Sequence, residues 1–312
     1  MQLDVSSAVL WSLGGLYGIL IIASLVVMFL LWRGPDKDQT ELVQRIRSWW
    51  YIVTIFTFAM VMSRHVAVVF FAFVSFLALK EYLSIVPTRR ADRRVLFWAY
   101  LAIPLQYYWV SQAWYGMFII FIPVYVFLLL PMRMVLIGET KDFLRAAGTL
   151  HWGIMTLVFG ISHIAYLLVL PQERNPSAGG AGLVLFLVFL TQFNDVAQYI
   201  WGKLLGRHKI IPKVSPNKTW EGFLGGLATT TLLAFLLARW LTPLAWHWAL
   251  LAGVLISVAG FIGDVTISAL KRDIGLKDTG SLLPGHGGIL DRIDSLTYTA
   301  PLFFHFIYYL HY

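Results

Sequence analysis

The sequence contains no cysteine. Disulfides, thiolate nucleophiles and thiolate metal sites are therefore excluded together, and any metal must be held by oxygen or imidazole. Charge is also scarce: 13% of the 312 residues are Asp, Glu, Lys or Arg, whereas 59% are hydrophobic. A water-soluble domain of that composition would expose more apolar surface than water tolerates, so an integral membrane protein is expected. No polar block is long enough to fold as a separate soluble domain, and no internal repeat or low-complexity segment stands out. HExxH, P-loop and Ser-His-Asp patterns are missing too, which removes three common routes to hydrolysis and phosphate chemistry.

What the chain does have is apolar runs of membrane-crossing length. They fall near residues 9–32, 49–83 (broken at Ser63 to His65 into two), 95–110, 113–136, 147–170, 181–205, 220–241, 244–270 and 292–311. The fold expected is all-α: a polytopic transmembrane helical bundle of about ten spans, nine if 49–83 is partly re-entrant. The first run follows Asp4 and no basic residue, so it reads as a retained helix rather than a signal peptide. Basic connections begin near residues 33, 87, 133, 203 and 271, all on one side of a ten-span arrangement. By the excess of Lys and Arg in cytoplasmic loops, that side is cytoplasmic and both termini are outside. The formal charge of +8 suits loops facing anionic lipid, or phosphorylated ligands.

Charges within apolar runs cost about 2.5–3.5 kcal/mol each and are kept for partners or function. Asp264, Ser268 and Lys271, at i, i+4 and i+7, share one helical face, with Gly260 and Gly263 permitting close approach of another element. The plain alternative for Asp264 is a buried ion pair that holds two helices together. Asp291 and Asp294 open the last apolar run directly after the glycines of PGHGG, where they could equally serve the helix dipole. Together, Asp264, Asp291, Lys271, Arg272, Lys277, Arg292 and His286 suggest hard oxygen ligands among cations, the chemistry of a Mg2+ nucleoside triphosphate site. A second group precedes them. Asp195, Tyr199 and Gly202 are read as one helical face, and SPNKTWEG sets Ser215, Lys218 and Thr219 just before a run whose first turn carries Glu221. Turn plus helix cap explains that stretch as well as phosphate binding at Lys218 does. Glu81 beside Lys80 is ambiguous. His151, His163, His247 and His305 are read as satisfied or interfacial histidines, and the Trp and Tyr at run ends as interfacial anchors.

Ser268, Leu270, Lys271, Arg272, Lys277, Asp278, Gly280, Leu283, Pro284, His286, Gly287, Gly288, Asp291, Arg292 and Asp294, with their spacing, resemble the signature of the phosphatidate cytidylyltransferases, also called CDP-diacylglycerol synthases. The resemblance extends through the Asp195 helix and SPNKTWEG, whereas the front of the chain is similar only in being apolar, with LKEYL (Leu79 to Leu83) a faint echo. Residues 1–170 are accordingly read as amino-terminal membrane helices and 171–312 as the catalytic membrane region of a single unit. Val196, Gln198 and Asn217 depart from the family pattern.

The resemblance implies an enzyme of phospholipid biosynthesis that joins CTP to phosphatidic acid, giving CDP-diacylglycerol and pyrophosphate. It implies Mg2+ with K+ as a second cation, and Asp264 and Asp291 as the metal ligands. It further implies Lys271, Arg272, Lys277, Asp278 and Arg292 in catalysis, and Asp195, Ser215, Lys218, Ser268, His286, Gly287, Gly288 and Asp294 in substrate binding. The expected setting is a bacterial inner membrane, with membrane lipids as partners, a homodimer as a further candidate assembly, and no nucleic acid. The alternatives are a paralogue acting on another lipid phosphate and, from a different class, an anionic-lipid transporter. Crowding of the polar groups into the last third of the chain argues against transport.

Overall fold

A computed structural model describes residues 5–33, 39–280 and 287–312. The signature residues Leu283, Pro284 and His286 lie outside the described residues. In chain order the helices are α1 (Ser7–Arg33), α2 (Thr40–Met62), α3 (Arg64–Ile85), α4 (Arg93–Ser111), α5 (Tyr115–Ile120), α6 (Phe127–Val135), α7 (Phe143–Ile154) and α8 (Ile161–Leu167). They continue as α9 (Gly179–Leu205), α10 (Trp220–Leu241), α11 (Trp246–Asp273), α12 (Leu290–Ile293) and α13 (Leu296–His311). π-helical turns at Phe121–Val126 and Met155–Gly160 join α5 to α6 and α7 to α8, so each pair forms one rod.

Seven rods among the described residues are long and apolar enough to cross a membrane: α1, α3, α5–α6, α7–α8, α9, α10 and α11. The helices α2, α4 and α13 account for the other expected runs, and the architecture is that of a polytopic helical membrane protein. Charges in the first turns of α2 dilute its apolar character, and α13 has 16 residues. The expected break near residue 63 falls on Ser63 itself, which is extended (φ −170°, ψ 160°) and caps α3 by accepting from Val66 N at 3.2 Å.

One element departs from the all-helical expectation. Lys209–Ile211 (β1) and Ser215–Thr219 (β2) pair antiparallel between α9 and α10, with Lys209 opposite Thr219 and Ile211 opposite Ser215. Thr219 ends the strand and caps α10, accepting from Gly222 N at 3.2 Å, so the cap reading of SPNKTWEG holds for this residue.

A continuous apolar core reaches from Val9 to Ile307, and α8, buried along its whole length, packs against both α3 and α13. Behind it, α9, α10, α11 and α13 pack through small and polar residues, the usual device where lipid offers no hydrophobic drive between helices. Asn194 on α9 accepts from Thr230 Oγ1 on α10 (3.1 Å) and Ser257 Oγ on α11 (2.7 Å), and Thr191 Oγ1 donates to Thr299 Oγ1 on α13 (3.0 Å). Gly263 lets α11 meet the chain entering α13. A Cβ there would stand 2.6 Å from Asp294 O and 3.0 Å from Ser295 Cα. Gly263→Ala should therefore lower stability by about 1–3 kcal/mol, as overpacking against backbone does. A thermal melt of the detergent-solubilised protein checks this, and an unchanged melting temperature would count against so tight a crossing.

Candidate active site

The polar residues singled out in the sequence gather where the last turns of α3, α9 and α11 meet β2 and the start of α13. The expected face on α11 is present: Ser268 Oγ donates to Asp264 Oδ1 at 3.3 Å, and Lys271 follows on the same side. Asp264 Oδ2 pairs with Lys218 Nζ from β2 at 2.5 Å. About two turns further along α11, Lys271 Nζ pairs with Asp291 Oδ1 at 2.7 Å. Each acid expected to hold metal thus carries a lysine expected to hold phosphate.

Around the first pair stand two more acids. Asp195 accepts from Ser295 Oγ at 2.9 Å through Oδ2, while its Oδ1 is buried and has no hydrogen-bond partner among the described residues. Asp294 accepts from Ser295 N at 2.7 Å, and the charges of Asp264 and Asp195 both act on it. Three carboxylates therefore face two nearby cations, Lys218 and Arg292, whose charges both reach Asp195. Burial alone would pull the Lys218 ammonium down, but the carboxylates of Asp264 and Asp195 hold its pKa above the ordinary lysine value. Lys218 also donates to Gln198 Oε1 at 3.1 Å. Lysine only donates, so the oxygen of Gln198 must face it, and the amide Nε2 is left buried without a partner among the described residues.

Around the second pair Thr279 and Gly288 lie against Asp291. Its Oδ2 accepts from Thr279 N (3.0 Å), Thr279 Oγ1 (2.9 Å) and Gly288 N (3.1 Å). Burial works to raise this carboxyl, yet Lys271 and the Thr279 and Gly288 amides hold its pKa below the ordinary carboxylate range. Gly287 adopts φ 78°, open to glycine at no steric cost, and its position brings the chain back beside Asp291 and Asp278.

Glu81, near the end of α3, is the functional residue that sequence reasoning left undecided. Its carboxylate accepts from Ile289 N (2.9 Å) and Leu290 N (3.1 Å) and competes with Asp291 Oδ2 for the single proton of the Thr279 hydroxyl, tying Thr279 to the start of α12. Those two amides begin α12, where unpaired N–H groups and the helix dipole favour a negative charge. Ser295 is the second residue missed. Nothing in its spacing marks it, and only the packing at Gly263 brings it to Asp195.

The remaining expected residues make no hydrogen bond or ion pair with these acids among the described residues. Arg272 donates to Val214 O (3.2 Å) and braces the β-hairpin turn. Lys277 and Asp278 are exposed on the loop, and Ser215 opens β2 three residues before Lys218. Arg292 has a buried Nε without a partner among the described residues, while its carbonyl accepts from Gln192 Nε2 at 3.2 Å. Tyr199 follows Asp195 by one turn on the same side of α9, but it is 63% exposed and takes no part in the site, and Asn194 and Gln198 are the more deeply buried neighbours. Glu221 is more than a dipole partner, because it accepts from Arg207 N (3.0 Å) and His208 N (3.2 Å) and pairs with the His208 ring, fixing the turn into β1. Among the histidines, His151 sets Nδ1 2.8 Å from Ala147 O and Nε2 3.0 Å from Phe127 O, and its neutral ring can donate to one of these carbonyls, whereas His163 leaves Nε2 without a partner among the described residues.

No three Asp, Glu or His side chains among the described residues converge tightly enough to form a ready-made ion cage. The donor chemistry nevertheless fits a hard cation: Asp195 Oδ1 is an unpartnered buried carboxylate oxygen, and Asp264 already attracts the positive charge of Lys218. Asp291 has only Oδ1 to offer, the oxygen Lys271 holds, because three donors take its Oδ2.

The profile of the "Cytidylyltransferase family" matches residues 43–310. The Escherichia coli (strain K12) protein "Uncharacterized protein YnbB" is 48% identical over 298 residues, 96% of this chain and 98% of its own length. The phosphatidate cytidylyltransferase of Mycobacterium leprae is 44% identical over 139 residues, 44% of this chain and 42% of that protein. That of Haemophilus influenzae is 40% identical over 136 residues, 42% of this chain and 47% of that protein. The chain thus aligns with less than half the length of these two enzymes. The profile nevertheless spans α2 to α13, including Glu81, both lysine–aspartate pairs and the loop between them, and on that extent the chain belongs to the cytidylyltransferase family of CTP-dependent nucleotidyltransferases.

Proposed function

We propose that the protein is a phosphatidate cytidylyltransferase, in which the phosphate of phosphatidic acid attacks the α-phosphorus of CTP and pyrophosphate leaves. The observation that carries this reading is the pairing of Lys218 with Asp264 and of Lys271 with Asp291 at one end of the bundle. Each lysine has donors to spare for phosphate oxygens. When both turn to phosphate, Asp264 and Asp291 Oδ1 are released together.

The lipid phosphate is itself the nucleophile, so the lack of cysteine is no obstacle. In-line displacement asks the protein to align two phosphates and neutralise their charge. Lys218 and Lys271 would grip the triphosphate, with Arg292 beside them; exposed Lys277 would meet the nucleotide as it arrives. The loop amides at Gly287 and Gly288 offer further donors to an anion. Asp264 and Asp195 would hold the divalent cation, and Asp291 Oδ1 would reach it only once substrate has drawn Lys271 away; Mg2+ is the expected ion and K+ the expected companion. When bound, such an ion offsets negative charge on the reacting phosphates. Asp294 and Ser295 would keep Asp195 turned inward. The excess of Lys and Arg in the connections on this side supports a cytoplasmic active site in a bacterial inner membrane.

The full-length similarity to YnbB and the departures Gln198, Val196 and Asn217 favour testing a second reading, transfer to another lipid phosphate. Purified protein in detergent should convert radiolabelled CTP, Mg2+ and phosphatidic acid into chloroform-soluble CDP-diacylglycerol, and Asp291→Ala should not. No labelled lipid from phosphatidic acid, but labelled product from another lipid phosphate in the same panel, would overturn the substrate while keeping the chemistry. No product from any lipid phosphate would overturn the reaction.

A further inference from the structure

Asn194 and Gln198 lie one turn apart on the buried side of α9, yet only one of their amides is satisfied. Asn194 Oδ1 accepts from Thr230 Oγ1 and Ser257 Oγ, and its Nδ2 donates to Ser257 O at 3.3 Å. Gln198 is 4% exposed; its Oε1 faces Lys218 Nζ, and its Nε2 is buried with no acceptor among the described residues. Gly280 and Gly287, the neighbours of residues 281–286, lie against Glu81 and Asp291, so that stretch is rooted at the other lysine pair.

The free amide is fixed in place. Turning it over would set its N–H groups against an ammonium that only donates. Its stem rests on α10, where a Cβ at Gly226 would stand 2.4 Å from Gln198 Cγ, so that glycine leaves it room. A buried donor without an acceptor is costly, and a group kept in that condition awaits a water or a ligand. The neighbour defines which ligand. Nε2 and Oε1 leave the same carbon, so the free N–H groups stand beside Lys218 Nζ, and an oxygen taken by the lysine lies next to the amide. A phosphoryl oxygen carries lone pairs enough for both donors.

We propose that Gln198 is a substrate-binding residue, its Nε2 donating to the phosphate whose oxygen Lys218 takes. The inference rests on the reading of Lys218 as a phosphate-binding residue and adds a second, neutral donor to it. A double-mutant cycle of Gln198→Met and Lys218→Met in the full chain in detergent tests it, with binding read in place of turnover. One arm measures radiolabelled CTP with Mg2+ and no lipid; the other measures phosphatidic acid without CTP, by native mass spectrometry. Methionine keeps the length of each side chain and removes its polar atoms. Gln198→Met should weaken one of the two ligands about tenfold, the scale of one hydrogen bond to a charged group, and the arm affected tells whether the phosphate is the nucleotide's or the lipid's. Lys271 and Arg292 remain to hold ligand in Lys218→Met, so adding Gln198→Met to that variant should cost at least about threefold more, whereas a residue that only steadied Lys218 would add nothing. Without ligand, Gln198→Met should melt no lower than the wild type, because it removes a donor the chain does not use. Should that variant aggregate, Gln198→Asn, which withdraws the amide by one carbon, gives the same reading. Loss below about threefold in both arms for Gln198→Met, or no added loss beside Lys218→Met, would overturn the proposal while leaving Lys218 in its role. Wild-type affinity in Lys218→Met would instead overturn the phosphate reading of the site.

Discussion

Replacing Lys218 with methionine should reduce cytidylyl transfer by on the order of a thousandfold, the scale for losing one preorganised charge at a reacting phosphate. The side chain is 19% exposed and sits between Asp264 Oδ2 at 2.5 Å and Gln198 Oε1 at 3.1 Å. Methionine keeps the length and removes the charge, which leaves Asp264, Asp195 and Asp294 facing one another with Arg292 as the nearest cation. Their raised repulsion should weaken the fold as well, so the melting temperature must be followed beside kcat. Because the Lys218 pKa is raised, its contribution is complete below the ordinary lysine value and lost only as pH rises through the higher folded one. Lys218 should then give the rate no alkaline limb near neutral pH. A variant that melts like the wild type and keeps more than about a tenth of its kcat would remove Lys218 from the phosphate-binding role.

Glu81→Ala should lower kcat/KM by about a hundredfold although Glu81 is proposed to touch neither substrate nor ion. The carboxylate ties Ile289 N, Leu290 N and the Thr279 hydroxyl to the end of α3. Alanine would release all three at once. Thr279 N also donates to Asp291 Oδ2, so the loss would pass directly to the acid paired with Lys271. Glu81→Gln keeps an acceptor for the amides and should recover part of the rate. The readout that separates positioning from general damage is the split between constants: KM for CTP should rise while the melting temperature falls little. Equal loss in Glu81→Ala and Glu81→Gln, tracking unfolding, would reduce Glu81 to a structural residue.

The helices were legible because apolar length is a strong local signal, and the face from Asp264 to Lys271 was legible because 3.6-residue periodicity sets it without outside help. Asp195 exposes the limit of that reasoning. Periodicity set it on one side with Tyr199, but sharing a side did not bring Tyr199 into the site: Asn194 and Gln198 are the more deeply buried neighbours, and Asp195 stands at the edge of the buried face. The hairpin left no trace because KII and SPNKT are too short to alternate, and Pro216 counts against a strand. Glu81 was out of reach for a different reason: Thr279 is 198 residues away, and no local pattern spans such a separation. The signature acids were found at once, yet their immediate partners were not, since an ion pair between Lys218 and Asp264 depends on how a hairpin lies across a helix.

That hairpin touches α11 at two heights. Lys218 holds Asp264, and eight residues further along the helix Arg272 holds the carbonyl of Val214. A helix end normally frays first, because its last turns have few neighbours. Here the final two turns of α11 are splinted from outside, and the splint is anchored in turn through the Thr219 cap of α10. Amide exchange in the end of α11, in β1 and β2 and in the first turn of α10 is therefore expected to share one opening event. The nucleotide-facing end of the bundle would come apart as a single cooperative unit, rather than residue by residue.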